Sequence, residues 1–288
     1  MKPTKNKFLH RFFNTIAWVC IVLVILVAFT LLYARYIAPY DFSVTNTNIT
    51  STNISDVAKG IRILQFSDTH LSVYYNLEEF GRVVAAIKKE KPDIVVFSGD
   101  LIDSLHDYTE NIDQLTALLG TIEAPYGKFC VFGNHDYGGG AERVYPKIME
   151  NAGFTLLKNN NVEIPNLKIN IVGIDDVLIG YGDVSSASKT IKGDFNIVIA
   201  HEPDIADMVS TYDVDLMLSS HTHGRQINIS FLDNFILPPY GKHYIEGLYA
   251  FPEKPNMKLY VTRGIGTTQI PMRFNSKPEI SIFKLEKI

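Results

Sequence analysis

Apolar positions divide the chain into two unlike parts. Residues 16–34 form one uncharged run dominated by Val, Ile, Leu and Phe. Roughly 20 apolar residues span a bilayer core, whereas the apolar region of a signal peptide holds roughly 7–15. A cleaved signal peptide is the competing reading, and the length of the run favours an uncleaved transmembrane helix. Lys2, Lys5, Lys7 and Arg11 precede the run and only Arg35 follows it closely. The excess of positive charge before the run predicts a single-pass protein of the cell membrane, its N-terminus cytoplasmic and everything after residue 37 extracytoplasmic.

Residues 38–60 are polar and rich in Thr, Asn and Ser, with apolar alternation at Phe42, Val44 and Ile49. That suits a tether leading into an edge strand. From residue 61 the pattern changes to short apolar runs, each ending in a polar cluster: 61–66, 93–97, 128–132, 168–174, 196–200, 215–219, 258–262 and 279–285. Continuous apolar runs of this length predict strands covered on both faces. Leu77, Phe80, Val83, Val84 and Ile87 recur at helical spacing before Pro92 stops the pattern, and Ile112, Leu115, Leu118 and Leu119 do the same. Val144, Ile148 and Met149 make a third such set. Strands alternating with helices, then strands in quicker succession, predict an α/β sandwich with its functional residues at strand ends. The expected organisation is an N-terminus and anchor over residues 1–37, a tether and edge strand over 38–57, and one globular domain over 58–288.

Charge narrows the partners. The chain has 27 basic and 31 acidic residues, and five of the basic ones lie before residue 36, where no acidic residue occurs. The remainder therefore carries a net charge of −9. An acidic domain without a basic stripe repels polyanions, so no nucleic-acid partner is expected and a nuclease is disfavoured. Cys20 and Cys130 lack the spacing of a thiolate metal site.

Five polar clusters carry the candidate chemistry: Asp68-Thr69-His70, Gly99-Asp100, Gly133-Asn134-His135-Asp136, His201-Glu202 and His221-Thr222-His223. Each is weak alone. Together they hold five of the eight histidines, all directly after strand-like runs. Side chains alternate along a strand, so His221 and His223 can point to one side. Carboxylates, one amide and several imidazoles suit Mn, Fe, Zn or Mg rather than a structural thiolate zinc. Asp103, His106 and Tyr108 fit either a pocket wall or, as the preferred reading, a solvated helix entry; Gly138 to Gly140 read as a loop, and Asp175 and Asp176 as structural or supporting residues rather than a third metal site. The segment 226–257, rich in Phe, Leu, Tyr and Pro, fits either an apolar rim facing the bilayer or a buried hairpin.

In this order the clusters resemble those of the calcineurin-like metallophosphoesterases, over roughly residues 58–288. The anchor, the run from Arg263 to Thr268 and the segment Pro271-Met272-Arg273-Phe274-Asn275 are most similar to the membrane-associated bacterial branch. The resemblance implies a four-layer α-β-β-α sandwich and two divalent metal ions. It implies Asp68, His70 and His223 on the first metal, Asn134, His201 and His221 on the second, and Asp100 bridging both. It also implies hydrolysis of a phosphomonoester, phosphodiester or pyrophosphate by a metal-bridged hydroxide. His135 would protonate the leaving oxygen, with Asp136 orienting it. Arg225 and Arg273 are the candidates to bind substrate phosphate, a solvated surface arginine being the other reading of Arg225. Many relatives read Gly-His-x-His-Gly-Gly-Gln at the last motif. Here Ser220 replaces the first Gly and Arg225 the Gly before Gln226. Location and analogy point to a lipid-linked or cell-envelope substrate. A non-catalytic scaffold of the same fold is the alternative, disfavoured because no expected ligand type is missing.

Overall fold

The computed structural model describes residues 4–191, 195–229 and 237–288. Its first element, α1 (Thr4–Tyr36), holds no Gly or Pro and ends just before Pro39. Among the described residues it is the one helix long and apolar enough to cross a membrane. Most of its large apolar side chains are exposed, which a water-soluble helix would not tolerate.

Two six-stranded sheets follow. The first has the order β1 (Ser43–Ser51), β12 (Glu279–Lys287), β2 (Arg62–Phe66), β3 (Ile94–Phe97), β4 (Lys128–Cys130), β5 (Thr155–Leu156). The second runs β10 (Gly247–Phe251), β11 (Lys254–Val261), β9 (Leu216–Ser219), β8 (Phe195–Ile199), β7 (Ile169–Gly173), β6 (Asn160–Ile164). β2, β3 and β4 are parallel in one sheet, and β7, β8 and β9 are parallel in the other. The final strand, β12, pairs parallel with β1 and antiparallel with β2, so the polar β1 is a sheet edge.

Alternation along the strands explains the layers. In β2 and β3, Leu64, Phe66, Val95 and Phe97 face α2 (Leu77–Glu90), α3 (Ile112–Gly120) and, beyond α4 (Asn134–Gly138), α5 (Tyr145–Asn151). Ile63, Ile94 and Val96 face the other way and meet Ile171, Ile197 and Leu218 of the second sheet. The outer face of that sheet packs Val172, Val198 and Met217 against α6 (Val184–Ser188) and α7 (Ala206–Val209). This is the four-layer α-β-β-α sandwich expected from the sequence. Gln65 joins the sheets by donating to Ser98 Oγ and to the Ser219 carbonyl at 2.9 and 3.0 Å. Of the segment 226–257, residues 230–236 lie outside the described residues. Its end forms the β10–β11 hairpin, while Leu237, Pro238 and Pro239 line the cleft described next.

Candidate active site and metal centre

The polar clusters lie just beyond the C-terminal ends of β2, β3, β4, β8 and β9, where a parallel sheet leaves a crevice. The backbone there is unusual. Asp68, His70, Asp100, His221 and His223 all have positive φ, between 42° and 74°. Non-glycine residues hold that conformation only where the surroundings over-determine it, typically at functional sites. Close packing is part of that constraint. A Cβ at Gly133 would lie 2.3 Å from Asp100 Oδ1, and one at Gly99 would lie 2.6 Å from Gly133 N, so both motif glycines are steric necessities.

The donor atoms converge. His70 Nε2 is 3.1 Å from His223 Nε2, and Asp100 Oδ2 lies 3.4 Å from His70 Nε2 and 3.1 Å from His201 Nε2. His223 Nε2 is 3.6 Å from Asp68 Oδ1. Two sets, Asp68 with His70 and His223, and Asp68 with Asp100 and His201, each bring their donor atoms within 4.8 Å. Two buried donor atoms, Asp68 Oδ2 and Asn134 Oδ1, have no hydrogen-bond partner, and His201 Nε2 has the Asp100 carboxylate beside it. Leaving such groups unmet costs about 1–3 kcal/mol each, so their convergence fits a cation. The sequence-predicted ligands thus meet in one cleft of about 360 Å³, lined by His70, Asp100, Asn134, His221 and His223, with Asp68 and His201 buried beside it.

Supporting bonds fix the tautomers, because a carbonyl only accepts. His201 Nδ1 donates to the Ser98 carbonyl at 2.7 Å, which leaves Nε2 with its lone pair. His221 Nε2 donates to the Pro239 carbonyl at 2.9 Å, which leaves Nδ1. His70 Nδ1 faces Asp103 Oδ1 at 2.9 Å, which leaves Nε2. Burial, together with neighbouring His201, pushes the His221 pKa down to about 4, so it is neutral and able to ligate. Burial opposes charge on His201 too, but there Asp100 and Asp68 win and hold its pKa well above the usual range. The carboxylates demand positive charge in the cleft, and a bound cation meets the same demand.

Two expected roles are corrected. Asp136 does not orient His135. Its Oδ2 accepts from Asp100 N and Gly133 N at 2.9 Å and its Oδ1 from Leu101 N at 3.0 Å. Sitting at the third position of α4, it folds back to cap that helix, the ordinary habit of an acidic side chain there. The partner of His135 is Asp103, whose carbonyl and Oδ1 lie 3.0 and 3.2 Å from His135 Nδ1. Asp103 is therefore no solvated helix entry. It also accepts from Thr268 Oγ1 at 3.0 Å, and α3 begins only at Ile112. The signal available in sequence was the spacing of Asp103, three residues beyond Asp100. Gly138, expected in a loop, closes α4.

The second correction is Arg273. It is fully buried, and its guanidinium donates to the carbonyls of Gly266, Arg263, Ser276 and His223. Nη2 lies 3.3 Å from His223 Nδ1. It sits behind the histidine and does not line the cleft. Arg225 does line the cleft, 18% exposed and 3.8 Å from Glu246. Asp175 and Asp176 are structural as expected: the first accepts from the Tyr137 hydroxyl and the second from Ile179 N and Gly180 N.

Comparison with known proteins agrees with this geometry. The sequence model of the calcineurin-like phosphoesterase family matches residues 61–225. The chain is 40% identical over 258 residues to the uncharacterized metallophosphoesterase YkuE of Bacillus subtilis, covering 88% of this chain and 89% of that protein. It is 30% identical over 257 residues to phosphodiesterase YaeI of Escherichia coli, covering 88% and 92%. It is 27% identical over 312 residues to UDP-2,3-diacylglucosamine pyrophosphatase LpxG of Chlamydia trachomatis, again covering 88% and 92%. The chain belongs to the calcineurin-like phosphoesterase family and is a hydrolase acting on phosphoester bonds.

Proposed function

We propose that the chain is a membrane-anchored phosphoesterase with a dinuclear metal centre, acting on a lipid-linked or cell-envelope phosphate ester or pyrophosphate. The observation that carries the dinuclear reading is Asp100 Oδ2, 3.4 Å from His70 Nε2 and 3.1 Å from His201 Nε2, between one histidine of each of the two donor sets. In this reading Asp68, His70 and His223 would hold one cation and Asn134, His201 and His221 the other, with Asp100 available to either. The cations, when bound, would supply Lewis acidity for the phosphoryl oxygens and a water of lowered pKa.

The chain's own residues do the rest. His135 has its Nδ1 committed to Asp103, so its Nε2 is the atom that carries a proton to the leaving oxygen. Burial opposes that protonation, but Asp100 and Asp103 outweigh it and raise the His135 pKa. Arg225 offers a planar cation to a non-bridging phosphoryl oxygen from the cleft wall.

The lipid-linked substrate is supported by α1 and by the chlamydial relative, which is named for a diacylated sugar nucleotide. The basic residues before the apolar run support a cytoplasmic N-terminus and an extracytoplasmic phosphoesterase domain over residues 58–288. Metal analysis of the detergent-purified chain tests the reading, paired with phosphomonoester, phosphodiester and pyrophosphate substrates in Mn, Fe, Zn or Mg. Two cations per chain and hydrolysis lost in Asp100→Asn are expected. No turnover with any of these metals would sink it in favour of a scaffold.

A further inference from the structure

We infer that the metal cleft opens at the surface of the bilayer crossed by α1, over an apolar lip of Val73, Tyr74 and Ile270 that rests in that bilayer. The ester is thereby hydrolysed while its lipid tail stays in the membrane. The inference deepens the proposed function and rests on its reading of α1 as a span and of the cleft as a hydrolytic site.

Two loops that begin or end at cleft-lining residues both reach the last turn of α1. One follows His70 directly and carries Val73 and Tyr74. The other contributes Thr268, Gln269 and Ile270 to the cleft wall. Arg273 N donates to the Ala34 carbonyl of α1 at 2.9 Å. The Arg35 guanidinium lies 5.2 Å from the centre of the Tyr74 ring. Just past the helix, the Tyr40 hydroxyl donates to the Tyr74 carbonyl at 2.9 Å, and the Tyr40 ring stacks on Tyr75.

The depth of this junction follows from helix geometry. Residues 16–33 at 1.5 Å each span roughly 27 Å, close to the thickness of the hydrocarbon layer. Ala34 and Arg35 therefore sit at its boundary with water. Tyr36 and Tyr74 both meet the Arg35 guanidinium there and Tyr40 bonds to Tyr74, and tyrosine is the residue type expected at that depth. Ile270, on the cleft wall, is three residues from Arg273, a chain distance of at most about 11 Å. Gln226 keeps that segment in register with the H-x-H motif: its Nε2 donates to the Ile270 and Thr268 carbonyls, and its Oε1 accepts from Thr268 N. The lip is apolar and outward-facing, with Val73, Tyr74 and Ile270 exposed by 63%, 50% and 51%. On a surface in water these side chains gain nothing. Held beside a membrane helix, they gain by entering the acyl layer. The hydrolysis itself is ordinary: a water oxygen joins phosphorus, the ester P–O bond breaks, and the leaving oxygen takes a proton.

The first test does not depend on activity. Trp18 is the only tryptophan of the chain, so Trp18→Phe gives a silent background for Val73→Trp. In phosphatidylcholine nanodiscs the fluorescence of that variant should be quenched when the acyl chains are brominated. The companion Val57→Trp, beyond the far end of β1, should be unaffected. Equal quenching at both positions, or at neither, overturns the inference. The second test compares two chromogenic esters. Val73→Asp with Tyr74→Asp should slow p-nitrophenyl hexadecyl phosphate in nanodiscs about tenfold, the equivalent of roughly one buried apolar side chain. The same variant should leave soluble bis(p-nitrophenyl) phosphate within about twofold, since neither side chain is in the metal site. An unchanged rate on the tailed ester would overturn the lip. Failure of the parent chain on both esters would instead strike the diester form of the proposed function, with the fluorescence result still deciding the lip.

Discussion

The two walls of the cleft are supported in different ways. The wall built at the ends of β2, β3 and β4 supports itself. Asp136 accepts from the backbone of Asp100, Leu101 and Gly133, Asp100 accepts from His135 N, and Asp103 meets both His70 and His135. The wall built at the ends of β8 and β9 is propped from elsewhere. His201 leans on the Ser98 carbonyl, His221 on the Pro239 carbonyl, and the His223 carbonyl on Arg273 and Ser276. A self-supporting wall concentrates its chemistry in motifs. A propped wall spreads it over residues that carry no motif, and its weak points lie far along the chain from its ligands.

Arg273 is the sharpest place to break the propped wall. Arg273→Met would strip the carbonyls of Gly266, Arg263, Ser276 and His223 of a shared donor in a buried site. At about 1–3 kcal/mol for each buried group left unmet, the loss should exceed about 3 kcal/mol. Calorimetry should show a lower melting temperature, and activity should fall with it as His223 loses its position. Arg225→Ala is the contrast. Its stability should stay within about 0.5 kcal/mol of the parent, with the effect appearing in KM. A folded Arg273→Met protein that differs only in KM would show that Arg273 binds substrate after all.

The self-supporting wall is sharpened by Asp103→Asn. The amide oxygen can still accept from one histidine, but the negative charge shared by His70 and His135 is gone. Partners of this kind typically contribute about 10–100-fold, and a kcat loss of that size is expected with metal content retained. A kcat equal to the parent's would remove Asp103 from the orienting role and reopen the question of what holds His135.

The same contrast explains what was legible in the sequence. Strands buried on both faces, such as β2, β3, β8 and β9, are continuous apolar runs, and α2 shows its 3.6-residue period openly. The clustering of the candidate ligand residues was legible for a related reason, since their types and order stand out in the chain. β5 has only two residues and β6 is Asn-rich with one buried side chain, so backbone pairing rather than an apolar pattern makes them strands. Asp136 misled because it is next to His135 in the chain, while the start of α4 turns its carboxylate back onto the backbone. Arg273 misled because a cation in a loop near the candidate ligands looks available to substrate phosphate. The segment from Arg263 to Ser276 instead buries carbonyls with no sheet ladder to satisfy them, and one guanidinium with five N–H groups serves several at once.

Ser220 gives the smallest expected effect and a fine test of how the propped wall tolerates loss. Ser220 Oγ donates to the Ser98 carbonyl at 2.8 Å, the same carbonyl that receives His201 Nδ1 at 2.7 Å. A carbonyl has two lone pairs, so the two donors do not compete. Ser220→Ala removes one donor and leaves the His201 bond intact, with no polar group newly stranded. The expected cost is one ordinary hydrogen bond, about 1 kcal/mol in unfolding free energy, with kcat/KM within about threefold of the parent. A much larger loss of activity at that modest stability cost would mean that the hydroxyl holds the His201 ring itself, through its 3.0 Å contact with Nδ1.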